Sequence, residues 1–236
     1  MKPYRTIPIA ECGESLAATP EDAFLFTMPH PYAALGAPYG QTNPWMLRQG
    51  VLAGLLRAQA ALAQQHQGWR FRLFDAYRPN AVQAFMAEWE FRQHSGGRPS
   101  SAMPEPERAA IYAKVWRIWG MPSEDPATPP PHSTGAAIDL TIADAAGVNI
   151  DMGSPIDENS GRSDPDYFKI SNPAIHANRM LLHGLMRAEG FHRHPREWWH
   201  FSLGDQMWAW EERQANPDSQ AIARYGRADL IRGRIS

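Results

Sequence analysis

A single carboxylate, that of Asp139, interrupts the apolar run 136–142, and no other feature of the sequence restricts the fold as much. The alternation of this run predicts a strand with Ile138, Leu140 and Ile142 on one face and Asp139 on the other. A carboxylate in such a run needs a partner, because burying an unpaired charge is costly. A metal ion, an arginine or backbone N–H groups could each supply that partner.

Two further stretches hold residues in local settings that suggest chemistry. His132 follows three prolines, which stiffen the backbone, and Gly135 lets the chain bend before the strand. Glu197 and His200 flank a Trp-Trp pair far downstream. Two imidazoles and one carboxylate are the usual protein ligands of a catalytic zinc ion, and a second carboxylate can serve as general base. The alternative is an aspartate that caps a turn and two histidines that hydrogen-bond in a core.

The geometry of the downstream stretch adds a condition. On a regular strand, residues 197 and 200 point to opposite faces. Glu197 can therefore approach a metal at His200 only if the backbone turns between them or if Glu197 precedes the strand, and Pro195 favours such a start. His192 and His194 alternate just upstream and could form a rival metal site with His200, although no carboxylate ligand is near them in sequence.

Taken together, these motifs resemble those of the zinc D-alanyl-D-alanine dipeptidases, within the D,D-carboxypeptidase and dipeptidase group of metallopeptidases. His132-x6-Asp139 and Glu197-x2-His200 match the family's pattern, and segment 74–79, Phe-Asp-Ala-Tyr-Arg-Pro, matches its Asp-x-Tyr-Arg-Pro motif. The similarity extends from about residue 32 to about residue 203. Several separate motifs in the same order are more specific than any one of them.

The resemblance implies a role for each matching residue. His132, Asp139 and His200 would bind one zinc ion per chain, and Glu197 would be the general base. Arg78 would stabilise the oxyanion, since its guanidinium stays charged at any working pH.

Around this centre, the resemblance implies three substrate-binding residues. Asp157 would bind the free ammonium group of the substrate, Tyr32 would lie near the substrate pocket, and Asp75 would orient Arg78. The alternatives without a function in substrate binding are a structural bridge between Asp75 and Arg78, a solvated loop acid at Asp157 and a packing tyrosine at Tyr32.

The family resemblance implies hydrolysis of a free D-amino-acid dipeptide, with D-Ala-D-Ala as the first expectation. The family's serine that helps to hold the substrate carboxylate is replaced here by Pro130, which has neither hydroxyl nor N–H. Two alternatives are a D,D- or L,D-carboxypeptidase acting on peptidoglycan peptides and a non-catalytic zinc-bearing binding module. Retention of Glu197 and Arg78 argues against the module.

Composition excludes several other classes of function. The net charge of −2 is spread along the chain, so there is no basic footprint for nucleic acid and no polybasic membrane signal. The single cysteine, Cys12, cannot form an intramolecular disulfide, and no secretory signal or membrane span is evident. We therefore expect a cytoplasmic protein whose partner is a small dipeptide.

The patterns predict one α+β domain of residues 1–236, with a core at about 32–210 and peripheral N-terminal and C-terminal segments. A small, mostly antiparallel sheet with flanking helices would hold zinc in a cleft at the sheet. The predicted elements are helices beginning at Asn43-Pro44, Pro79, Glu107, Asn172-Pro173 and Asp205, strands at 69–75 and 136–142, and a hairpin return at 148–153.

Overall fold

The computed structural model describes residues 2–230, and the strands of this part of the chain form two sheets. The strands are β1 Leu16–Ala18, β2 Leu25–Phe26, β3 Met46–Arg48, β4 Arg70–Asp75, β5 Ala137–Ala143, β6 His192–Arg193 and β7 His200–Ser202. The larger sheet has the order β2-β4-β5-β7-β6; only β2 and β4 pair in parallel, and the other three pairs are antiparallel. Strands β1 and β3 form a separate antiparallel pair. The predicted α+β class with a mostly antiparallel sheet is confirmed.

Strand β5, the apolar run that carries Asp139, is the middle strand of the larger sheet, and all its residues are buried. Its apolar face joins the main core together with Phe71 and Leu73 of β4. Because β5 has a strand on each side, its backbone groups are paired and only its side chains remain to be satisfied.

The register of the three central strands brings polar residues into one row. Strand β5 pairs Asp139 with Asp75 of β4 on one side and with His200 of β7 on the other. The register shifts between Leu73 and Asp75, as in a β-bulge. Strict alternation along β4 would have left Asp75 on the face of Leu73. The shift instead places Asp75 opposite Asp139, and directly paired residues share a face of the sheet.

Helices pack on the sheet and on one another. They are α1 Pro31–Ala34, α2 Gln49–Gln65, α3 Asn80–His94, α4 Glu105–Val115, α5 Pro173–Ala188 and α6 Gln206–Ala215. Helices α2 and α5 supply Leu55 and Leu182, among others, to the main core, whereas α3 and α4 share a second apolar cluster. The predicted N-cap at Asn172 is confirmed, since it accepts from the Ile175 N–H. The helix predicted from Asp205 is also present, and Asp205 caps it by accepting from the Trp208 N–H.

The predicted bounds of two helices and one predicted strand are wrong. The helix expected from Asn43-Pro44 begins only at residue 49, because Asn43 caps a turn by accepting from the Trp45 N–H and residues 46–48 pair with β1 instead. Segment 148–153 contributes an isolated bridge rather than a return strand. Helix α4 begins at residue 105 rather than at the predicted residue 107, and it ends at Val115.

Both terminal segments pack closely on the rest of the chain. A 3-10 turn, Pro3–Thr6, lies against α6, and Tyr4 and Ile7 are buried there. Tyr225 is fully buried in the main core. This differs from the expected peripheral placement, because aromatic and aliphatic side chains near both ends find apolar surface to cover. The end of the basic tail predicted from residue 224 lies outside the described residues.

No helix within residues 2–230 combines the length and the apolar character that crossing a bilayer requires.

Candidate metal centre

Three buried side chains from distant parts of the chain converge on one point. His132 lies in a 3-10 turn, Pro131–Thr134, Asp139 lies on β5, and His200 begins β7. One potential ligand atom from each lies within 4.8 Å of the other two. Gly135, at φ +71°, ends the turn, and a Cβ there would collide with Leu16. Glycine at position 135 therefore lets the turn deliver His132 to the start of β5.

The contacts within this triad are short. Asp139 Oδ2 is 3.2 Å from His132 Nε2, and Asp139 Oδ1 is 3.0 Å from His200 Nδ1. The two imidazoles also approach each other, with His132 Nε2 and His200 Nδ1 3.1 Å apart. Two ring nitrogens and a carboxylate thus point at one small volume.

Contacts on the outer side of each ring fix which nitrogen carries the proton. His132 Nδ1 is 2.7 Å from the Ala76 carbonyl oxygen, which only accepts, so the proton sits on Nδ1 and the Nε2 lone pair faces inward. His200 Nε2 lies 3.4 Å from Ser202 Oγ, whose own proton is donated to Asp205 Oδ2 at 2.9 Å. The His200 Nδ1 lone pair therefore also faces inward. Outer partners of this kind are those that orient histidine ligands of metals.

The ionised form of the Asp139 carboxyl agrees with a cation at this point. Burial alone would raise the pKa of Asp139, but His132 and His200 beside it hold that pKa well below its usual range. Asp139 Oδ1 is buried and has no hydrogen-bond partner within residues 2–230, although His200 Nδ1 is close. Two inward lone pairs and a buried carboxylate oxygen fit a divalent metal, which would satisfy all three.

Glu197 stands next to the triad and precedes β7, as its approach to His200 requires. Its Oε2 is 3.8 Å from His200 Nδ1, and its side chain is buried. Its Oε1 lies 3.2 Å from His194 Nδ1, but that nitrogen accepts from the Arg196 N–H, so within residues 2–230 Oε1 has no hydrogen bond. Burial, and next the charge of Asp139, raise the pKa of Glu197 to about 8. A carboxyl so placed can take up and release a proton near neutral pH.

Arg78 lies on the other side of the triad, in a fixed orientation. Its Nε donates to Asp75 Oδ2 at 3.0 Å, its Nη1 to Gln83 at 2.8 Å, and its Nη2 to the Tyr32 hydroxyl at 3.1 Å. Nη2 is also 3.4 Å from Asp139 Oδ2. The structural bridge between Asp75 and Arg78 exists, and it directs the guanidinium towards the triad rather than away from it.

Asp157 lies beyond Arg78. The Tyr32 hydroxyl donates to Asp157 Oδ2 at 2.8 Å, and the Asp157 backbone has φ +67°, a conformation that few residues other than glycine adopt. Burial, followed by the charge of Asp139, raises the pKa of Asp157 to about 8. A positive charge brought beside this carboxyl would favour its ionised form. Asp157 is therefore suited to meet a cationic group.

Asp75 is fully buried behind Arg78. Besides Arg78, it contacts His132 Nδ1 at 3.2 Å, His30 Nε2 at 3.2 Å and the Tyr39 hydroxyl at 3.0 Å. Neither Asp75 nor Tyr32 lines the pocket at the triad. Both hold Arg78, and Tyr32 also holds Asp157. Asp75 thus holds Arg78 as expected, and a direct contact of Tyr32 or Asp75 with the substrate stays a prediction.

The pocket at the triad is narrow, and polar and apolar groups contribute to its lining about equally. Its charged and titratable lining residues are Lys2, Arg78, His132, Asp139, Asp157, His194, Glu197 and His200. Trp119, Ile118 and Met207 supply apolar walls. All predicted metal ligands and both predicted catalytic residues therefore face one pocket.

Sequence reasoning missed several of these residues. His30 and Gln83 hold Asp75 and Arg78, and Lys2 comes from the segment expected to be peripheral. The rival histidine site does not form, because His192 pairs with Glu212 at 2.7 Å while His194 lies beside Glu197. The alternation at 192 and 194 was the one sequence signal that pointed to His194.

The sequence of the chain is similar to those of known dipeptidases. Residues 26–221 match the peptidase family M15 model described as D-ala-D-ala dipeptidase. A D-alanyl-D-alanine dipeptidase of Synechocystis is 44% identical over 241 residues, which cover 97% of this chain and 98% of the relative. Relatives with the same name from Escherichia coli and Enterococcus faecium are 33% and 34% identical, over 62% and 64% of this chain and 61% and 70% of their own lengths.

Proposed function

The chain belongs to the D-Ala-D-Ala dipeptidase family of peptidases, and we propose that it is a zinc enzyme that hydrolyses the peptide bond of a free D,D-dipeptide. The first substrate that we propose is D-Ala-D-Ala. The observation that carries the proposal is the convergence of His132, Asp139 and His200, with the carboxyl of Glu197 free beside them. The charge arrangement of the pocket adds support, since it provides Asp157 for an ammonium group and Arg78 for a carbonyl oxygen.

The donor set favours zinc among the common divalent metals. Two imidazole nitrogens and one carboxylate suit zinc, whereas magnesium and calcium prefer oxygen ligands throughout. His132 Nε2, His200 Nδ1 and one Asp139 oxygen would hold one ion per chain. Bound zinc would polarise the scissile carbonyl and lower the pKa of a water molecule towards about 7.

Three residues of the chain would supply the remaining interactions with the substrate and the attacking water. Asp157 accepts hydrogen bonds from the substrate ammonium group and so fixes the end of the dipeptide. Arg78 donates to the carbonyl oxygen as negative charge develops on it. Glu197 takes a proton from the attacking water as the O–C bond forms. It then gives that proton to the nitrogen of the leaving residue as the C–N bond breaks.

The role of base requires that the Glu197 carboxyl be ionised before water attacks. Its pKa of about 8 reflects burial and the nearby negative charge of Asp139. A divalent cation held by the triad would favour the carboxylate form, so Glu197 would be ionised before water attacks. The same buried setting favours release of the proton to an amine once charge has moved on to the substrate.

The test is amine release by the zinc-loaded protein from D-Ala-D-Ala, L-Ala-D-Ala, L-Ala-L-Ala, N-acetyl-D-Ala-D-Ala and a cell-wall pentapeptide. We expect turnover of the free D,D-dipeptide, its loss on chelation and its return with zinc. Comparable cleavage of the pentapeptide would identify a carboxypeptidase instead. Absence of metal-dependent cleavage across the whole panel would contradict the proposal and favour a binding module.

Asp157→Asn is expected to lower kcat/KM for D-Ala-D-Ala by about 10- to 100-fold, since a hydrogen bond to a charged group is worth about 1.5–3 kcal/mol. The slow rate on the N-acetylated dipeptide should change little, because that substrate has no ammonium group. The ratio of the two kcat/KM values is the measurement.

The neighbouring acid provides the control. Glu158 contacts Ser160 and Arg162 rather than the pocket, so Glu158→Gln should leave the ratio at the wild-type value. An unchanged ratio in Asp157→Asn would remove Asp157 from the ammonium site.

A further inference from the structure

The N-terminal segment contributes a cation to the pocket. Lys2 lines it together with Tyr4, although both lie far in sequence from the other lining residues. The following 3-10 turn is anchored on α6, where Gln206 Nε2 donates to the Ile7 carbonyl oxygen at 2.6 Å. Tyr4 and Ile7 are buried in the same contact. The position of Lys2 is thus set by packing just after it in the chain.

Lys2 lies on the Glu197 side of the pocket, because it also lines an adjoining surface pocket with His194 and Arg196, which precede Glu197 in the chain. Burial lowers the pKa of its ammonium group, whereas the negative charge of Glu197 acts in the opposite direction. The carboxyl of Glu197 contacts His194 and His200, so it does not form an ion pair with Lys2. Lys2 therefore stands where the site meets the surface, and within residues 2–230 its ammonium group forms no ion pair.

Asp157 lies on the opposite side. Its Oδ2 accepts from the Tyr32 hydroxyl, which in turn accepts from Arg78 Nη2, and Asp157 does not line the adjoining surface pocket that Lys2 shares with His194 and Arg196. The pocket thus runs from Asp157, past Arg78 and the triad, to Glu197 and finally Lys2. An acid stands at one end and a cation at the other.

A free dipeptide has the same order of charges. Its ammonium group and its carboxylate flank the scissile bond. The nitrogen that receives the proton from Glu197 belongs to the residue that bears the carboxylate, one carbon away. With the ammonium group at Asp157, the carboxylate therefore falls beyond Glu197, near Lys2.

Arg78, which also carries a fixed positive charge in this pocket, does not provide this contact. Arg78 already donates to Asp75, Gln83 and Tyr32, and it lies on the ammonium side of the triad. Pro131, which forms the wall beside His132, has no N–H to donate.

We propose that the Lys2 ammonium group binds the C-terminal carboxylate of the dipeptide and so selects substrates that end one residue after the scissile bond. The inference rests on the proposed function, because it takes the substrate to be a free dipeptide. Lys2 lies outside residues 26–221, which match the family model, so this contact belongs to the chain's own N-terminal segment.

The first test compares D-Ala-D-Ala with D-alanyl-D-alaninamide, which lacks the carboxylate, in protein made without N-terminal additions. Lys2→Ala should raise KM for the free acid about tenfold while leaving KM for the amide near its wild-type value. Lys2→Arg, which keeps the charge, should retain most of the selectivity. The exposed Lys169→Ala is the matched control and should change neither KM. Equal effects of Lys2→Ala on acid and amide, or no effect on either, would overturn the proposal.

A binding measurement separates this inference from the proposed function. In a Glu197→Gln background, calorimetry with zinc-loaded protein should give a Kd for D-Ala-D-Ala that rises about tenfold on adding Lys2→Ala, with the Kd for the amide unchanged. If the wild-type protein cleaves neither compound, but Lys2→Ala still raises the Kd for D-Ala-D-Ala and not the Kd for the amide, the proposed function fails and the carboxylate contact stands. If the wild-type protein cleaves the dipeptide but Lys2→Ala does not alter the acid-to-amide ratio of Kd, the carboxylate contact fails alone. Absence of carboxylate-dependent binding in protein that has Lys2 also overturns it.

Discussion

Replacing Glu197 by glutamine is expected to lower kcat for D-Ala-D-Ala by about 100- to 10,000-fold while the protein keeps its metal. Glutamine has nearly the same shape but cannot take a proton from water or return one to the leaving amine. The carboxyl stands 3.8 Å from His200 Nδ1, close enough to act on a water at the triad but outside the short contacts that join the three ligands. KM should change little, because Glu197 is proposed to act on protons and not to hold the substrate.

The measurement combines steady-state kinetics with the zinc content of the purified variant. Glu211 provides a matched control, since burial also raises its pKa, to about 7, yet it lies outside the pocket at the triad. Glu211→Gln should retain both zinc and turnover. Loss of zinc from Glu197→Gln would show that Glu197 is a ligand, and a kcat near the wild-type value would show that another group is the base.

Arg78→Ala is expected to lower kcat by roughly 100- to 1,000-fold, since loss of one well-placed oxyanion donor costs about 3–4 kcal/mol. The guanidinium contacts Asp75, Gln83 and Tyr32 on its outer side, and its Nη2 faces the triad 3.4 Å from Asp139. This fixed position means that no reorganisation is needed as charge develops on the carbonyl oxygen. Zinc should remain bound, because none of the three ligands is removed.

Stability has to be separated from catalysis here, because Arg78→Ala leaves Asp75 as a buried, less compensated charge. Breaking such a pair typically costs about 3–5 kcal/mol of folding free energy. Arg78→Lys keeps the positive charge but lacks the planar fork, so it should unfold closer to the wild-type protein and still turn over slowly. Unfolding by denaturant, zinc content and kcat are measured for both variants.

Arg72 offers a control for the loss of a structural arginine, because it donates to Asn149 and to the Phe26 and Gly147 carbonyl oxygens, away from the triad. Arg72→Ala should affect the free energy of unfolding more than kcat. Near-normal kcat in Arg78→Ala, with zinc bound, would return Arg78 to a purely structural role.

Local patterns in the sequence were enough to predict the elements that carry the site. The alternation at 136–142 predicted a strand with Asp139 on the face opposite the core, and the structure confirms that strand within a mostly antiparallel sheet. The Asn172-Pro173 start of α5 and the start of α6 at Asp205 were also correct. These features follow from side-chain periodicity and from hydrogen bonds between residues three apart, both of which can be inferred from a short stretch.

Pairing between distant segments could not be inferred in this way. Helical spacing favoured a helix from Asn43, but residues 46–48 pair with β1 and the helix begins after them. The sequence also placed Asp75 on the face of Leu73, and the register shift against β5 moved it beside Asp139. A strand's partner and register depend on how the whole sheet buries its apolar face, so the local pattern of one strand does not fix them.

By itself, the sequence determined the chemistry of the site: two imidazoles, two carboxylates and an arginine in motifs that match one peptidase family. Only the tertiary structure decided how these groups are supported and what completes the pocket. His30, Gln83 and Lys2 show no local sign of function, and they meet the site because their segments pack against it. Motifs record residue types at short spacing, whereas contacts between residues dozens of positions apart are fixed by strand register and by burial of apolar side chains.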